Sequence, residues 1–233
     1  MEGEEKLMVI SNLDREILEK KKIIFLGSSV TYGAAAMGKS FIEDLEEEDG
    51  IIAVKEAVSG TLLVDEDVED GKSYIARLQT IDPNQQVDAF VCQLSTNDAT
   101  HNKPLGAIAE SYDRETFDTK TVAGAIEFII AYAKQTWHCP VVFYTGTRYA
   151  SKQYQKMVAL LQAIQEKWQI DLIDLWNDPD MNQVSEDDYK RYMADPIHPT
   201  REGYREWWFP KFEKGLAETL NKSHISCNER RSI

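Results

Sequence analysis

Cysteine is scarce in this sequence: the 233 residues include three, Cys92, Cys139 and Cys227. They lie far apart and form no C-x-x-C pair, so the sequence offers neither a disulfide framework nor a cysteine-based zinc site. Cys92 and Cys139 lie in or beside apolar runs, which predicts buried thiols that act as small hydrophobic groups. Long apolar runs are also missing, since none approaches the roughly 18 residues of a membrane-spanning helix.

Positive charge is scarce as well. The chain has 26 Lys and Arg against 40 Asp and Glu, a formal net charge of -14. Such a chain repels nucleic-acid phosphates and anionic lipid surfaces, so we expect neither nucleic acid nor a membrane as a partner. Residues 1–21 form a charged segment, helical or extended, without the apolar core of a signal peptide. A reducing cytoplasm is therefore the expected location.

Short apolar runs alternate with segments of helical period along the chain. Strands are predicted at residues 23–29, 51–60, 88–95, 140–147 and 171–176, and helices at residues 39–48, 73–81, 120–137, 151–168 and 200–222. This alternation predicts parallel βαβ units in one α/β domain over residues 22–222, followed by a polar tail at 223–233. Pro210 should kink or divide the last helix. In an open α/β sheet, ligands bind beyond the carboxyl ends of the strands.

One long segment between predicted elements has little pattern. Residues 97–118 follow the third predicted strand and carry neither a clear helical nor a clear strand period. Long loops of this kind in compact domains are usually binding loops or lids, and we expect such a role here.

Two serines stand at the end of the first predicted strand, in the stretch GSSVTYG (27–33). Taken alone, Ser28 and Ser29 suit an ordinary helix N-cap better than catalysis, although one of them could be a nucleophile held at the edge of a sheet. A phosphate-binding loop would need G-x-x-x-x-G-K-[ST], which is missing. In DPIHPT (195–200), Asp195 precedes His198 by three residues, near enough to accept the imidazole Nδ1 proton and so prepare a base for a serine. A loop ion pair or an Asp-Pro turn explains that pair as well.

Gly60 and Asn97 follow the second and third predicted strands. A glycine amide can approach a ligand closely, and an asparagine amide at a strand end can donate to a developing oxyanion. Taken singly, both suit turns. Together, four strand ends or their following loops supply a serine, a glycine, an asparagine and an Asp-His pair at the predicted ligand-binding edge.

These blocks, in this order along the chain, resemble the SGNH hydrolases, also called GDSL-like lipases and acylhydrolases. The resemblance implies a flavodoxin-like three-layer α/β/α sandwich with five parallel strands in the order 2-1-3-4-5. It implies hydrolysis of a small-molecule ester through an acyl-enzyme, without metal or cofactor. Ser29 would be the nucleophile, His198 the general base and acid, and Asp195 the residue that orients it. The amides of Ser29 and Gly60 and the side chain of Asn97 would form the oxyanion hole.

Two positions depart from the family pattern. Ser28 replaces the aspartate of the usual G-D-S block, and Ser95 replaces the glycine of G-x-N-D. With Arg148 and Tyr149, after the fourth predicted strand, they are candidate substrate contacts. An O-acetylated carbohydrate is one candidate substrate. Acyl transfer to an alcohol by the same triad, and a catalytically silent binding domain on the same scaffold, are the alternative functions.

Overall fold

The computed structural model describes residues 13–66 and 72–231, with side chains up to residue 223. A short helix, α1, spans residues 13–18. The predicted charged segment at residues 1–21 therefore falls partly outside the described residues, as does the end of the predicted tail.

Five strands form one sheet in the order β2-β1-β3-β4-β5, and every neighbouring pair is parallel. The strands are β1 (Lys22–Gly27), β2 (Ile52–Ala57), β3 (Ala89–Gln93), β4 (Val141–Thr145) and β5 (Asp171–Asp174). β3 and β4 are buried along their whole length, as expected for continuous apolar runs between two helical layers. β2 is half-buried because it is an edge strand. The predicted sheet and its order are confirmed.

Helices cover both faces of the sheet. They are α2 (Ser29–Tyr32), α3 (Phe41–Asp49), α4 (Tyr74–Leu78), α5 (Thr96–Thr100), α6 (Val122–Trp137), α7 (Lys152–Trp168), α8 (Glu186–Tyr192) and α9 (Phe209–Arg231). α4, α6 and α7 pack in the apolar core on one face, and α3 and α9 in the core on the other. The predicted three-layer α/β/α sandwich is confirmed. Cys92 and Cys139 are buried free thiols, as predicted.

The last helix changes type before Pro210. Residues Gly203–Trp208 wind as a π-helix, and the Phe209 amide donates to the Tyr204 carbonyl five residues back. Pro210 has no amide hydrogen and would crowd the preceding turn of an ordinary α-helix, so the wider turn relieves the conflict. The expected disturbance therefore takes the form of a π-helical segment. α9 then continues to Arg231, past the predicted end at residue 222, because its last turns contain neither Gly nor Pro.

The weakly patterned segment at residues 97–118 packs against α6 and α7. It begins within α5, and its later part is held by Lys167, whose Nζ donates to the carbonyls of Ala109 and Ser111. Lys167 also pairs with Glu127, whose carboxylate accepts the Ala109 amide at 2.8 Å. This buried ion pair holds the segment in place, and its role as a binding loop stays a prediction.

Candidate active site

The stretch GSSVTYG (27–33) begins with a tight turn from β1 into α2. Gly27 ends the strand, and a Cβ at that position would lie 1.7 Å from Thr31 Oγ1, so the turn requires glycine. Ser28 occupies the N-cap position of α2, yet its side chain makes no capping hydrogen bond. Six other helices begin after a Ser or Thr that does cap, so this turn is the exception. Ser29 is the first residue of α2 and is 8% exposed.

A buried polar network lies beneath this turn. Gln93, the last residue of β3, accepts hydrogen bonds at Oε1 from the Ser28 amide at 2.9 Å and from Thr31 Oγ1 at 2.7 Å. The Tyr144 hydroxyl lies 2.6 Å from Thr31 Oγ1. Buried polar groups linked in this way fix a single backbone position. Gln93 is not among the residues predicted from the sequence, although a glutamine at the end of an otherwise apolar buried strand is a signal for such a role.

Ser29, His198 and Asp195 form one hydrogen-bonded chain. Ser29 Oγ lies 2.8 Å from His198 Nε2, and His198 Nδ1 lies 2.7 Å from Asp195 Oδ2. A carboxylate can only accept, so Nδ1 carries the ring proton and Nε2 accepts from the serine hydroxyl in the neutral imidazole. This arrangement brings together residues 169 positions apart in the sequence.

Asp195 is held as an anion. Its Oδ1 accepts the amides of Ile197 and His198 at 2.8 and 2.9 Å. Partial burial by itself raises the pKa of Asp195, but these amide bonds and the His198 ring outweigh it, so the net pKa lies below the ordinary value of 3.8. The carboxylate is therefore ionised at neutral pH and fixes the His198 tautomer.

Three contacts position the segment that carries His198. Met193 and Pro199 form an antiparallel bridge across the turn. Three residues after His198, the guanidinium of Arg201 makes a two-point ion pair with the buried carboxylate of Asp44 on α3. The Tyr204 hydroxyl donates to the Val30 carbonyl on α2 at 2.7 Å. The histidine segment is thus fixed to both neighbouring helices, independently of its contact with Ser29.

Two backbone amides and one side-chain amide at this edge have free donor capacity. Across residues 13–66 and 72–231, the amides of Ser29 and Gly60 donate to no other group. Gly60 has φ +81°, which favours glycine, and open space lies where a Cβ would stand. Asn97 Nδ2 donates one hydrogen to the Thr61 carbonyl at 2.9 Å, which leaves its second hydrogen available.

Asp98 ties the loop after β2 to α5. Its buried carboxylate accepts the amides of Leu63 at 2.8 Å and Val64 at 3.1 Å. Burial raises the pKa of Asp98, and these hydrogen bonds oppose the rise. The loop that carries Gly60 and the helix that carries Asn97 are therefore joined at two points, through Asp98 and through Thr61.

Two cavities include or adjoin residues of this region: Gly60 lines the first, and Tyr189, which lines the second, lies near Asp195. The first, about 280 Å³, is lined by Ser59, Gly60, Thr61, Leu62, Val64, Lys72 and Ser73. The second, about 460 Å³, is lined by Thr147, Arg148, Met181, Asn182, Val184, Glu186, Tyr189 and Trp207. The second lies on the histidine side, because α8 supplies Tyr189 and leads directly to Met193. Burial raises the pKa of Tyr189, and the nearby Asp195 charge raises it further.

The predicted substrate contacts lie in different environments. Ser28 and Ser95 are fully buried; Ser28 bonds Gln93, and Ser95 caps α5 by accepting the Asp98 amide. Arg148 lines the larger cavity, with its Nε donating to the Trp176 carbonyl at 2.8 Å. Tyr149 packs its ring on those of Tyr154 and Trp176. All four contacts stay predictions, and the burial of the two serines favours a positioning role for them.

Neither a metal centre nor a membrane span is found in the described part of the chain. No group of three or more His, Cys, Asp and Glu side chains there is arranged to hold a metal ion. No helix within residues 13–66 and 72–231 has the length and apolarity needed to cross a bilayer.

The chain is similar to known proteins in both sequence pattern and fold. The model of the GDSL-like Lipase/Acylhydrolase family matches residues 25–206. Among curated proteins, none matches significantly. A solved protein from Lactobacillus plantarum is similar with TM-score 0.69 and 17% identity, over 88% of this chain and 98% of that one.

Two solved esterases share the fold at low identity. The aryl esterase of M. smegmatis has TM-score 0.58 and 13% identity, over 87% of this chain and 99% of that one. A family two carbohydrate esterase from Clostridium thermocellum, solved with cellohexaose, has TM-score 0.61 and 14% identity, over 87% of this chain and 65% of that one. At these identities the likeness is one of fold.

Proposed function

The chain belongs to the GDSL-like lipase/acylhydrolase family and is an ester hydrolase of the SGNH type, and we propose that it acts through an acyl-enzyme on Ser29. The observation that carries this proposal is the continuous chain from Ser29 Oγ to His198 at 2.8 Å and from His198 to Asp195 at 2.7 Å. A free serine hydroxyl is a weak nucleophile at neutral pH, and this arrangement activates it.

In the first half of the reaction, Ser29 Oγ attacks the carbonyl carbon of the ester while His198 Nε2 takes the hydroxyl proton. The carbonyl π electrons move onto oxygen, and the imidazolium that forms is stabilised by the Asp195 carboxylate. When the tetrahedral intermediate collapses, the bond to the leaving oxygen breaks and His198 protonates it. The acyl group remains on Ser29, and the alcohol departs.

In the second half, water replaces the alcohol. His198 takes a proton from water, the resulting nucleophile attacks the acyl carbon, and the collapse returns that proton to Ser29 Oγ. The oxyanion formed in each half accepts from the amides of Ser29 and Gly60 and from the Asn97 side chain. The free donor capacity of these three groups supports the assignment.

An O-acetylated carbohydrate is the substrate class that the larger cavity supports. Its volume, about 460 Å³, falls in the range of small-molecule sites. The aromatic rings of Tyr189 and Trp207 offer flat apolar surface, and Arg148, Asn182 and Glu186 offer polar groups for hydroxyls. The Clostridium thermocellum neighbour is a carbohydrate esterase, which agrees with this choice.

The test is labelling with a fluorophosphonate probe, followed by intact mass and peptide mapping. We expect one adduct on Ser29, lost in Ser29→Ala and His198→Ala. Ser40→Ala is the matched control, because it removes another buried serine hydroxyl, the N-cap of α3, and should keep the adduct. The absence of any adduct in folded protein would reject the mechanism and favour a silent binding domain. Assays with O-acetylated sugars, with and without acceptor alcohols, then separate hydrolysis from acyl transfer.

A further inference from the structure

A buried arginine beneath the site uses all of its donors on the segments that carry the oxyanion groups. Arg77 on α4 is 7% exposed. Its five N–H groups donate to Lys72 O, Glu56 O, Glu56 Oε1, Gly27 O and Thr61 Oγ1. The distances range from 2.9 to 3.2 Å. A guanidinium satisfied at every donor fixes its neighbours in both position and orientation.

Thr61 is the junction of this network. Its hydroxyl accepts from Arg77 Nη2 at 3.0 Å and donates to the Val58 carbonyl at 2.7 Å. Its carbonyl accepts from Asn97 Nδ2 at 2.9 Å. Thr61 also follows Gly60 directly in the chain. Thr61 therefore contacts the Asn97 side chain directly and is bonded in the chain to Gly60, so its position affects two of the oxyanion donors.

Gly27 connects the same network to the nucleophile. Its carbonyl accepts from Arg77 Nη2 at 2.9 Å and from the Val58 amide at 3.3 Å. Gly27 lies two residues before Ser29, at the start of the turn. Arg77 bonds both Gly27 and Thr61, and Val58 also bonds Gly27. These hydrogen bonds fix the separation between the end of β1 and the loop after β2.

We propose that Thr61 and Arg77 are positioning residues that set the relative placement of the three oxyanion donors, Ser29, Gly60 and Asn97. The proposal rests on the proposed function, since those donors act only if an oxyanion forms. Neither residue touches the substrate in this role. Misplacing a preorganised donor lowers stabilisation of the transition state more than binding of the ground state, so the effect falls on kcat.

Thr61→Val is the sharpest test, because it keeps the shape of the side chain and the carbonyl that Asn97 uses while removing both hydroxyl bonds. We expect kcat for p-nitrophenyl acetate to fall about tenfold to a hundredfold, less than the loss of a whole donor, with KM changed less than about threefold. Thr61→Ser retains the hydroxyl and should stay within about threefold of wild type. Arg77→Lys, which keeps the charge but loses the forked geometry, should also lower kcat.

Thr145→Val is the matched control for the loss of a buried threonine hydroxyl. Thr145 is fully buried at the end of β4, donates to Asp174 at 2.9 Å and accepts the Trp176 amide at 2.9 Å. We expect Thr145→Val to lower the free energy of unfolding, measured in urea, while kcat stays near the wild-type value. If the loss of a buried hydroxyl acted only by lowering the stability of the fold, Thr61→Val and Thr145→Val would change kcat by similar amounts.

A double-mutant cycle with Asn97→Ala completes the test. If Thr61 acts through the oxyanion donors, Thr61→Val should cost less in the Asn97→Ala background than in wild type. Equal losses in the two backgrounds, or a Thr61→Val enzyme as active as the Thr145→Val enzyme, would overturn the proposal while leaving the esterase function intact. A wild-type protein that neither hydrolyses esters nor reacts with the fluorophosphonate would instead reject the proposed function, and the positioning role with it.

Discussion

The Tyr204 hydroxyl donates to the carbonyl oxygen of Val30 at 2.7 Å, and both residues are buried. Val30 follows Ser29 directly, and Tyr204 stands six residues after His198. This bond joins the nucleophile turn to the histidine segment at a point away from the catalytic contact. The separation between Ser29 and His198 is therefore fixed even before a substrate binds.

Tyr204→Phe should loosen this connection. The Val30 carbonyl would be left without its buried donor, which destabilises the fold by about 1–3 kcal/mol. We expect the free energy of unfolding in urea to fall by that amount, and kcat to fall with it because Ser29 and His198 are held less well. Tyr192→Phe is the control, since the Tyr192 hydroxyl bonds only exposed groups. Equal stability of the two variants would contradict the assigned role.

Asp195→Asn should remove the orientation of His198. An amide cannot replace a carboxylate that accepts from Nδ1 and stabilises the imidazolium, so kcat should fall by about 10³-fold to 10⁴-fold. Steady-state kinetics on an activated acetyl ester measure the loss. Asp187→Asn, which neutralises an exposed acid on α8, is the charge-matched control and should change little. Retained activity in Asp195→Asn would exclude Asp195 as the orienting group.

Asn97→Ala should weaken the oxyanion hole. One preorganised donor is worth about a hundredfold to a thousandfold in kcat, and KM should change little because the donor acts mainly on the transition state. The measurement is kcat and KM on the same ester, with Asn84→Ala, at an exposed turn, as the control. A change in KM alone would mean that Asn97 binds the ground state instead.

Asp49 should make stability depend on pH. It is buried at the end of α3, and burial, with the nearby Glu213 charge, raises its pKa from 3.8 to about 7. Between these values the folded state binds more protons than the unfolded state, so stability falls as pH rises from about 4 to 7. Above pH 7 the folded protein carries a buried carboxylate, which the Arg15 guanidinium 3.7 Å away offsets in part.

Asp49→Asn removes this titration and should flatten the decline. Urea unfolding at pH 5 and pH 8 compares the variant with wild type, and Glu47→Gln, an exposed acid on the same helix, serves as the control. We expect the variant to gain stability relative to wild type at pH 8 and to gain little at pH 5. Parallel curves for the two proteins would show that Asp49 does not titrate in this range.

Much of the fold could be predicted because its signals are local. The five apolar runs and the helical periods located every strand of the sheet and the main helices, since each buried face must repeat with the period of its own element. Pro210 marked the position where the last helix changes type. The strand order came with the family resemblance, because local patterns do not say which strands become neighbours.

Only some residues of the candidate site could be singled out from the sequence. Ser29, Asp195, His198 and Asn97 stood out because their residue types and their places after strands suggested chemistry. Thr61 and Arg77 did not, because a threonine or an arginine in a sequence shows no sign of what it will contact, and Gln93 carried only the signal of a polar residue at the end of an apolar strand. Their roles depend on partners from other strands and loops.

The two serines of GSSVTYG illustrate the difference between what the sequence determined and what the tertiary structure decided. The sequence by itself determined that two hydroxyls stand where the first apolar run ends, because Gly27 and the two serines interrupt that run. The family resemblance implied that Ser29 attacks, but the contacts that distinguish the two serines were decided by the tertiary structure, which places Gln93 of β3 against Ser28 at 2.9 Å and His198 against Ser29 at 2.8 Å. The physical reason is that hydrogen bonds act over about 3 Å in space, and neither partner lies near this turn in the chain.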